Sequence, residues 1–207
     1  MKIKVCGMGA PENILAVSAL KPDYLGFIFF EKSARNFTGD IPVLDASIKK
    51  TGVFVDASFE FVKEKIEEFD FQAVQLHGKE SPEFCRQLKE LGVEVFKVFS
   101  VKYDFDFMRL IEYEGIVDSF LFDTKGEHPG GNGETFDWKV LKNYPSQTPV
   151  ILSGGIGLDE VNAVAEILKT GIPIYALDLN SKFEKKPAVK DIEKLKEFLN
   201  TINVDSE

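Results

Sequence analysis

The sequence predicts an α/β fold, a single (β/α)8 barrel spanning residues 1–207. Short runs of β-branched and aromatic residues alternate with longer helical patterns eight times. Most of the short runs are continuously apolar, as expected of parallel strands covered on both faces. An open doubly wound sheet is the competing topology, but no GxGxxG fingerprint follows the first strand. Eight parallel strands close naturally into a barrel.

The expected strands are Ile3–Cys6, Tyr24–Phe29, Gly52–Val55, Ala73–Leu76, Val93–Phe99, Val117–Phe122, Val150–Ser153 and Ile174–Leu177. The expected helices are Pro11–Leu20, Ile41–Lys50, Phe59–Phe69, Pro82–Leu91, Asp104–Tyr113, Trp138–Lys142, Leu158–Lys169 and a final Val189–Leu199. Ser81 before Pro82 is an N-cap followed by proline at the first helical position. Gly92, Gly115 and Gly171 stand where helices should stop. In the first strand, alternation turns Lys2, Lys4 and Cys6 inward, with Lys4 tolerable near the open end or in a salt bridge. Phe27, Phe29, Phe54, Phe59, Phe61, Phe69 and Phe71, part of a complement of 19 phenylalanines, read as core packing.

Composition narrows the function. With 44% apolar and 29% charged residues the chain reads as a soluble globular protein. A formal charge of -9 without a basic stripe argues against nucleic-acid or anionic-membrane binding. No apolar run approaches membrane-spanning length, and Met1–Cys6 reads as a strand with no apolar leader before it. Only two cysteines, Cys6 and Cys85, are present, so a reducing cytoplasmic setting is expected. Two histidines and no CxxC or HExxH spacing leave no metal site to assign, and no cofactor is implied.

In a barrel, chemistry gathers at the C-terminal strand tips, here Cys6, Phe30, Asp56, His77, Ser100, Asp123, Gly154 and Asp178. Asp123 ends an apolar run and could merely cap a turn; Cys6 could be a buried small hydrophobe. Sharing one mouth, a thiolate and a carboxylic acid become a base and an acid suited to a proton-shuttling isomerisation. Three features point to phosphate: Gly130-Gly-Asn-Gly133 with Gly131 and Asn132, Ser153-Gly-Gly-Ile156 with Gly154 and Gly155, and a short extra helix opening at Asn180 or Ser181. Arg35, in the loop after the second strand, can grip a substrate carboxylate with two parallel bonds or stand solvated. His77 reads as a structural hydrogen-bonding residue or as a mouth residue that orders solvent or substrate, Cys85 as packing, and Glu134, Asp137 and Glu184 as caps or surface charges.

These residues, together with Lys4-Val-Cys-Gly-Met8, Val74-Gln-Leu-His-Gly78, Phe136-Asp-Trp138 and Ala176-Leu-Asp178, resemble the phosphoribosylanthranilate isomerases of tryptophan biosynthesis nearly end to end. The resemblance implies an Amadori rearrangement with Asp123 as general acid and Cys6 as general base. It further implies that Arg35 holds the anthranilate carboxylate and Asp178 lies beneath the ligand. Backbone N–H groups around Gly131, Gly155 and Ser181 would hold the phosphate. The partner is then a small phosphorylated substrate, handled by a monomer or homodimer. The chain departs from the family pattern in two loops: Asn132 replaces a threonine, and Asp178-Leu-Asn-Ser-Lys-Phe-Glu184 stands for Asp-Val-Ser-Ser-Gly-Val-Glu, with Lys182 where glycine is expected. The departures predict altered phosphate binding rather than lost activity. Rival readings are another sugar-phosphate isomerase or epimerase on the same scaffold and a non-catalytic barrel that binds a phosphorylated ligand.

Overall fold

A computed structural model of the chain describes residues 1–102, 104–124 and 138–204. Its strands are β1 (Lys2–Cys6), β2 (Tyr24–Phe29), β3 (Lys49–Phe54), β4 (Ala73–Leu76), β5 (Glu94–Val101), β6 (Ser119–Thr124), β7 (Val150–Ser153) and β8 (Ile174–Leu179). They pair in sequence order, all parallel, and β8 returns to β1 to close the barrel. The predicted fold class is therefore the observed one.

Strand alternation separates two apolar layers. Tyr24, Ala73, Phe96, Val98, Leu121, Ile151 and Ala176 fill the barrel interior, while the opposite strand faces pack under the surrounding helices. The interior is sealed at its N-terminal end by polar groups. The Tyr24 hydroxyl bonds Glu94 at 2.8 Å and the Tyr175 hydroxyl at 2.7 Å, and Lys49 pairs with Glu94. Burial and these partners push the Tyr24 phenol far above its ordinary range.

The helices are α1 (Pro11–Ser18), α2 (Phe59–Phe69), α3 (Pro82–Glu90), α4 (Val161–Leu168) and α5 (Ile192–Val204). The Ser58 and Ser81 hydroxyls accept from Phe61 N and Phe84 N, caps each worth about 1 kcal/mol. Gly92, Gly115 and Gly171 all have positive φ, as stop positions should. Phe27, Phe54 and Phe71 are fully packed, but Phe61 is 38% exposed and lies under the Lys65 ammonium.

Several expected helices differ. No helix spans 41–50: the Asp45 carboxylate accepts from Ser47 N and Oγ, holding a turn. Strand β3 then claims Lys49, whose inward side chain meets Glu94, and Lys50, which faces outward toward Asp70 at 3.3 Å. The segments expected as helices at 104–113 and 138–142 are 3₁₀ turns, Phe107–Tyr113 and Trp138–Asn143. In the first, Asp106 caps Met108 N and so moves the start inward. The helix expected at 158–169 opens with a separate 3₁₀ turn, Leu158–Glu160. The last helix begins at Ile192 rather than Val189. Val189–Lys190 (β10) instead pairs antiparallel with Glu184–Lys186 (β9), across a turn where Ala188 has φ 62°.

Candidate active site

A cavity of about 160 Å³ opens at the C-terminal end of the barrel, lined by Cys6, Gln75, His77, Asp123, Asp178 and Asn180, among others. Two larger hollows, about 710 and 570 Å³, flank the 31–48 connection. Neither contains a group from the tips of β1, β6 or β8, so volume does not decide where the chemistry sits.

Cys6 points inward from β1, is 2% exposed and carries a free thiol. Room for it comes from Gly26 on β2, where a Cβ would stand 2.8 Å from Cys6 Sγ and 3.1 Å from Lys4 Nζ. Lys4, inward as alternation predicts and wholly buried, donates to Asp178 Oδ1 at 2.8 Å. Ser153 Oγ donates to the other Asp178 oxygen at 3.1 Å. Burial alone would lower the Lys4 ammonium, but Asp178 and Cys6 together outweigh it and the net shift is upward. Burial pushes the Cys6 thiol up, against the pull of Lys4.

Asp123, next to last in β6, lines the cavity too, and His77 Nε2 stands 3.3 Å from its Oδ2. His77 thus belongs to the cavity wall, the mouth position that its strand-tip place allowed, and its pairing with the candidate acid is what the sequence alone did not assign. Gln75, two residues earlier on β4, also lines the wall and was not anticipated; its inward parity with His77 was the available signal. Asp56 has φ 50°, and its Oδ1 accepts from Lys79 N at 2.6 Å. It is a structural brace for the β4 loop.

Gly154 and Gly155, at φ 84° and 71°, form the turn after β7 and line the same cavity as Asn180 and Ser181. The expected short helix after β8 is a 3₁₀ turn, Ser181–Phe183. Lys182 therefore sits in a helical turn and does not need the left-handed backbone that glycine would allow. Its stem covers Gly157, where a Cβ would lie 3.2 Å from Lys182 Cβ. Gly131 and Asn132, with His128, Glu134 and Asp137, lie outside the described residues.

Arg35 is not in the cavity wall. Its Nε and Nη2 donate to both Glu184 oxygens at 2.6 to 3.0 Å, and its Cδ is 2.9 Å from where a Cβ on Gly7 would stand. It occupies the rim behind the Cys6–Gly7 turn. Glu184, expected as a cap or surface charge, is instead 5% exposed and joins Arg35 to Lys190 at 2.8 Å. The Arg35 guanidinium is raised by its Glu184 bonds; at Glu184, burial pushes upward, but Arg35 and Lys190 prevail and hold the carboxyl below its ordinary range.

The family model described as N-(5'phosphoribosyl)anthranilate (PRA) isomerase matches residues 3–201. The chain belongs to the phosphoribosylanthranilate isomerase family. The N-(5'-phosphoribosyl)anthranilate isomerase of Parabacteroides distasonis is 44% identical over 210 residues, covering 98% of this chain and 93% of that protein. Its counterpart in Phocaeicola vulgatus is 42% identical, with 98% of each chain covered. Among solved structures, phosphoribosyl anthranilate isomerase from Thermotoga maritima superposes with a TM-score of 0.85 at 29% identity, over 99% of both chains. As a phosphoribosylanthranilate isomerase the protein performs an Amadori rearrangement. Among the described residues, no helix is long and apolar enough to cross a membrane.

Proposed function

We propose that Cys6 and Asp123 are the base and acid of the isomerisation of N-(5-phosphoribosyl)anthranilate to 1-(2-carboxyphenylamino)-1-deoxyribulose 5-phosphate. The observation that carries the assignment is their placement at the tips of β1 and β6, both facing one cavity. Asp123 gives its proton to the ribose ring oxygen as the C1'–O bond breaks. The anilino nitrogen supplies the electron pair that completes the Schiff base. The Cys6 thiolate then removes the proton from C2', and those electrons form the enolamine, which tautomerises to the ketone. Cys6 begins the cycle as a base and Asp123 as an acid, so protons are moved rather than consumed.

Arg35 holds the anthranilate carboxylate in this reading. Its Nε–Nη2 edge is engaged by Glu184, which fixes the plane of the guanidinium and leaves the Nη1 side for the ligand. Asp178, locked between Lys4 and Ser153, supports the sugar from below. The phosphate is met by backbone N–H groups of Gly155 and Ser181, beside Gly154 and Asn180, with Gly131 and Asn132 completing the set. Lys182 adds a charge near that dianion. Lys182→Gly is expected to raise KM about two- to fivefold at low ionic strength with kcat nearly unchanged, and the difference should shrink in salt. An unchanged KM would remove Lys182 from phosphate binding.

The reaction is tested by adding purified protein to freshly generated phosphoribosylanthranilate and following the loss of anthraniloyl fluorescence. Rapid loss with formation of the ketone product is expected. Persistence of intact substrate would overturn the assignment.

A further inference from the structure

Lys190 is a buried charge beside the site that the reaction itself leaves unused. Its ammonium is 0% exposed, yet it comes from a two-residue strand outside the barrel. The backbone is pinned at both groups: Asn13 Nδ2 donates to Lys190 O at 3.0 Å, and Lys190 N donates to Asn13 Oδ1 at 2.7 Å. That anchor drives the side chain inward, where Nζ donates to Asn180 Oδ1 at 2.7 Å and Glu184 Oε1 at 2.8 Å. Asn180 Oδ1 in turn lies 2.8 Å from where a Cβ on Gly7 would stand, so the contact abuts the Cys6–Gly7 turn.

Among the described residues on the β1 side of the cavity, cations outnumber carboxylates beside Cys6. Lys4 from β1, Arg35 from the β2 loop and Lys190 from β10 are three cations; Asp178 from β8 and Glu184 from β9 are two carboxylates. The remaining groups facing the thiol, His77 from β4 and Asp123 from β6, stand across the cavity. On the Cys6 side, among the described residues, one positive charge is left over, and burial of Lys4 and Lys190 magnifies its effect. A Cys6 thiolate is the anion that completes the set. We propose that Lys190 and Lys4 are positioning residues for Cys6, forming a buried cationic cradle that holds its thiolate.

The electrostatic couplings run in the required directions. Burial pushes the Cys6 thiol up, and both Lys4 and Lys190 oppose it. Burial, helped by the Arg35 charge, pulls the Lys190 ammonium down on balance, and Glu184 and the Cys6 charge oppose that shift. Asp178 works against the cradle at Cys6, which is why Lys4 alone, already paired with Asp178, is an insufficient counter-charge and a second buried cation has a use. The catalytic value of the cradle rests on Cys6 being the base, but the ionisation of the thiol does not.

The test is a pH titration of thiolate ultraviolet absorbance without substrate, taken for each protein as the difference from its Cys6→Ser counterpart. This subtraction removes Cys85 and the tyrosines. Lys190→Met is expected to move the Cys6 midpoint upward by about one pH unit, a tenfold loss of thiolate at fixed pH. Lys190→Arg, which keeps the charge, should restore most of the shift. Lys190→Gln retains a donor for Asn180 and Glu184, and serves if the methionine variant does not fold. Loss of a merely structural residue would lower Tm or raise KM and leave the titration in place. An unmoved midpoint in folded Lys190→Gln therefore overturns the proposal. Should the midpoint move while Cys6→Ser keeps full turnover, the cradle stands and Cys6 is not the base.

Discussion

Asp123→Asn is expected to lower kcat by roughly 10²- to 10⁴-fold, the usual loss when a positioned proton donor is removed. The substitution is isosteric, and asparagine can still hydrogen-bond His77 across the 3.3 Å gap, so the cavity wall keeps its shape. What disappears is a transferable proton at the tip of β6. Ring opening then lacks an acid for the departing ring oxygen, while Arg35 and the loops after β7 and β8 still meet the substrate. KM should change far less than kcat, the pattern of an interaction made only in the transition state. Cys6→Ser should cause a loss of similar order by a different route, because a hydroxyl at that position is a far weaker base than a thiolate. Steady-state fluorescence assays over a range of substrate concentrations separate the two constants. A kcat for Asp123→Asn close to that of the wild type would exclude Asp123 as the acid.

The parts of this site that were legible in the sequence are those coded locally. Cys6 ends a short alternating strand and Asp123 an apolar run, so strand parity and the barrel rule place both at the mouth without coordinates. The Gly154–Gly155 turn and the short turn at Ser181 announce themselves by composition and order. The electrostatic frame behind Cys6 is coded at long range instead. Arg35 and Glu184 are 149 positions apart, and Asn13 and Lys190 are 177 apart. The Glu184–Lys190 stretch, with its lysines and proline, looks like a solvated segment running into a helix; only pairing across Ala188 turns two of its charges inward. The helix expected over 41–50 failed for a related reason. Lys49 is claimed by Glu94 on β5, two strands along the barrel floor, which no local periodicity reports.

Lys97→Met should be among the most destabilising single changes in the chain, and it touches no substrate. Lys97 leaves β5 toward the helical layer and meets Glu80 at 2.9 Å, with both side chains 3% exposed. Its ammonium also donates to Gly78 O at 2.8 Å and Leu76 O at 3.3 Å. The Glu80 carboxylate accepts from Asp56 N and Gly78 N, so it cannot swing out to water without releasing the loop that carries His77. Gly78 has no space for any side chain: a Cβ there would stand 2.3 Å from Asp56 Oδ1. Methionine fills the stem of the lysine but strands a buried carboxylate, and breaking such a pair costs about 3–5 kcal/mol. For a chain of this size that corresponds to a fall in Tm of roughly 6–20 °C. Lys97→Met with Glu80→Gln should recover part of the loss, since glutamine keeps an oxygen for Asp56 N and Gly78 N while removing the stranded charge. Thermal melts of the three proteins followed by circular dichroism decide the matter. If the double variant melts below Lys97→Met, the cost lies in lost packing around the lysine stem rather than in the unpaired charge.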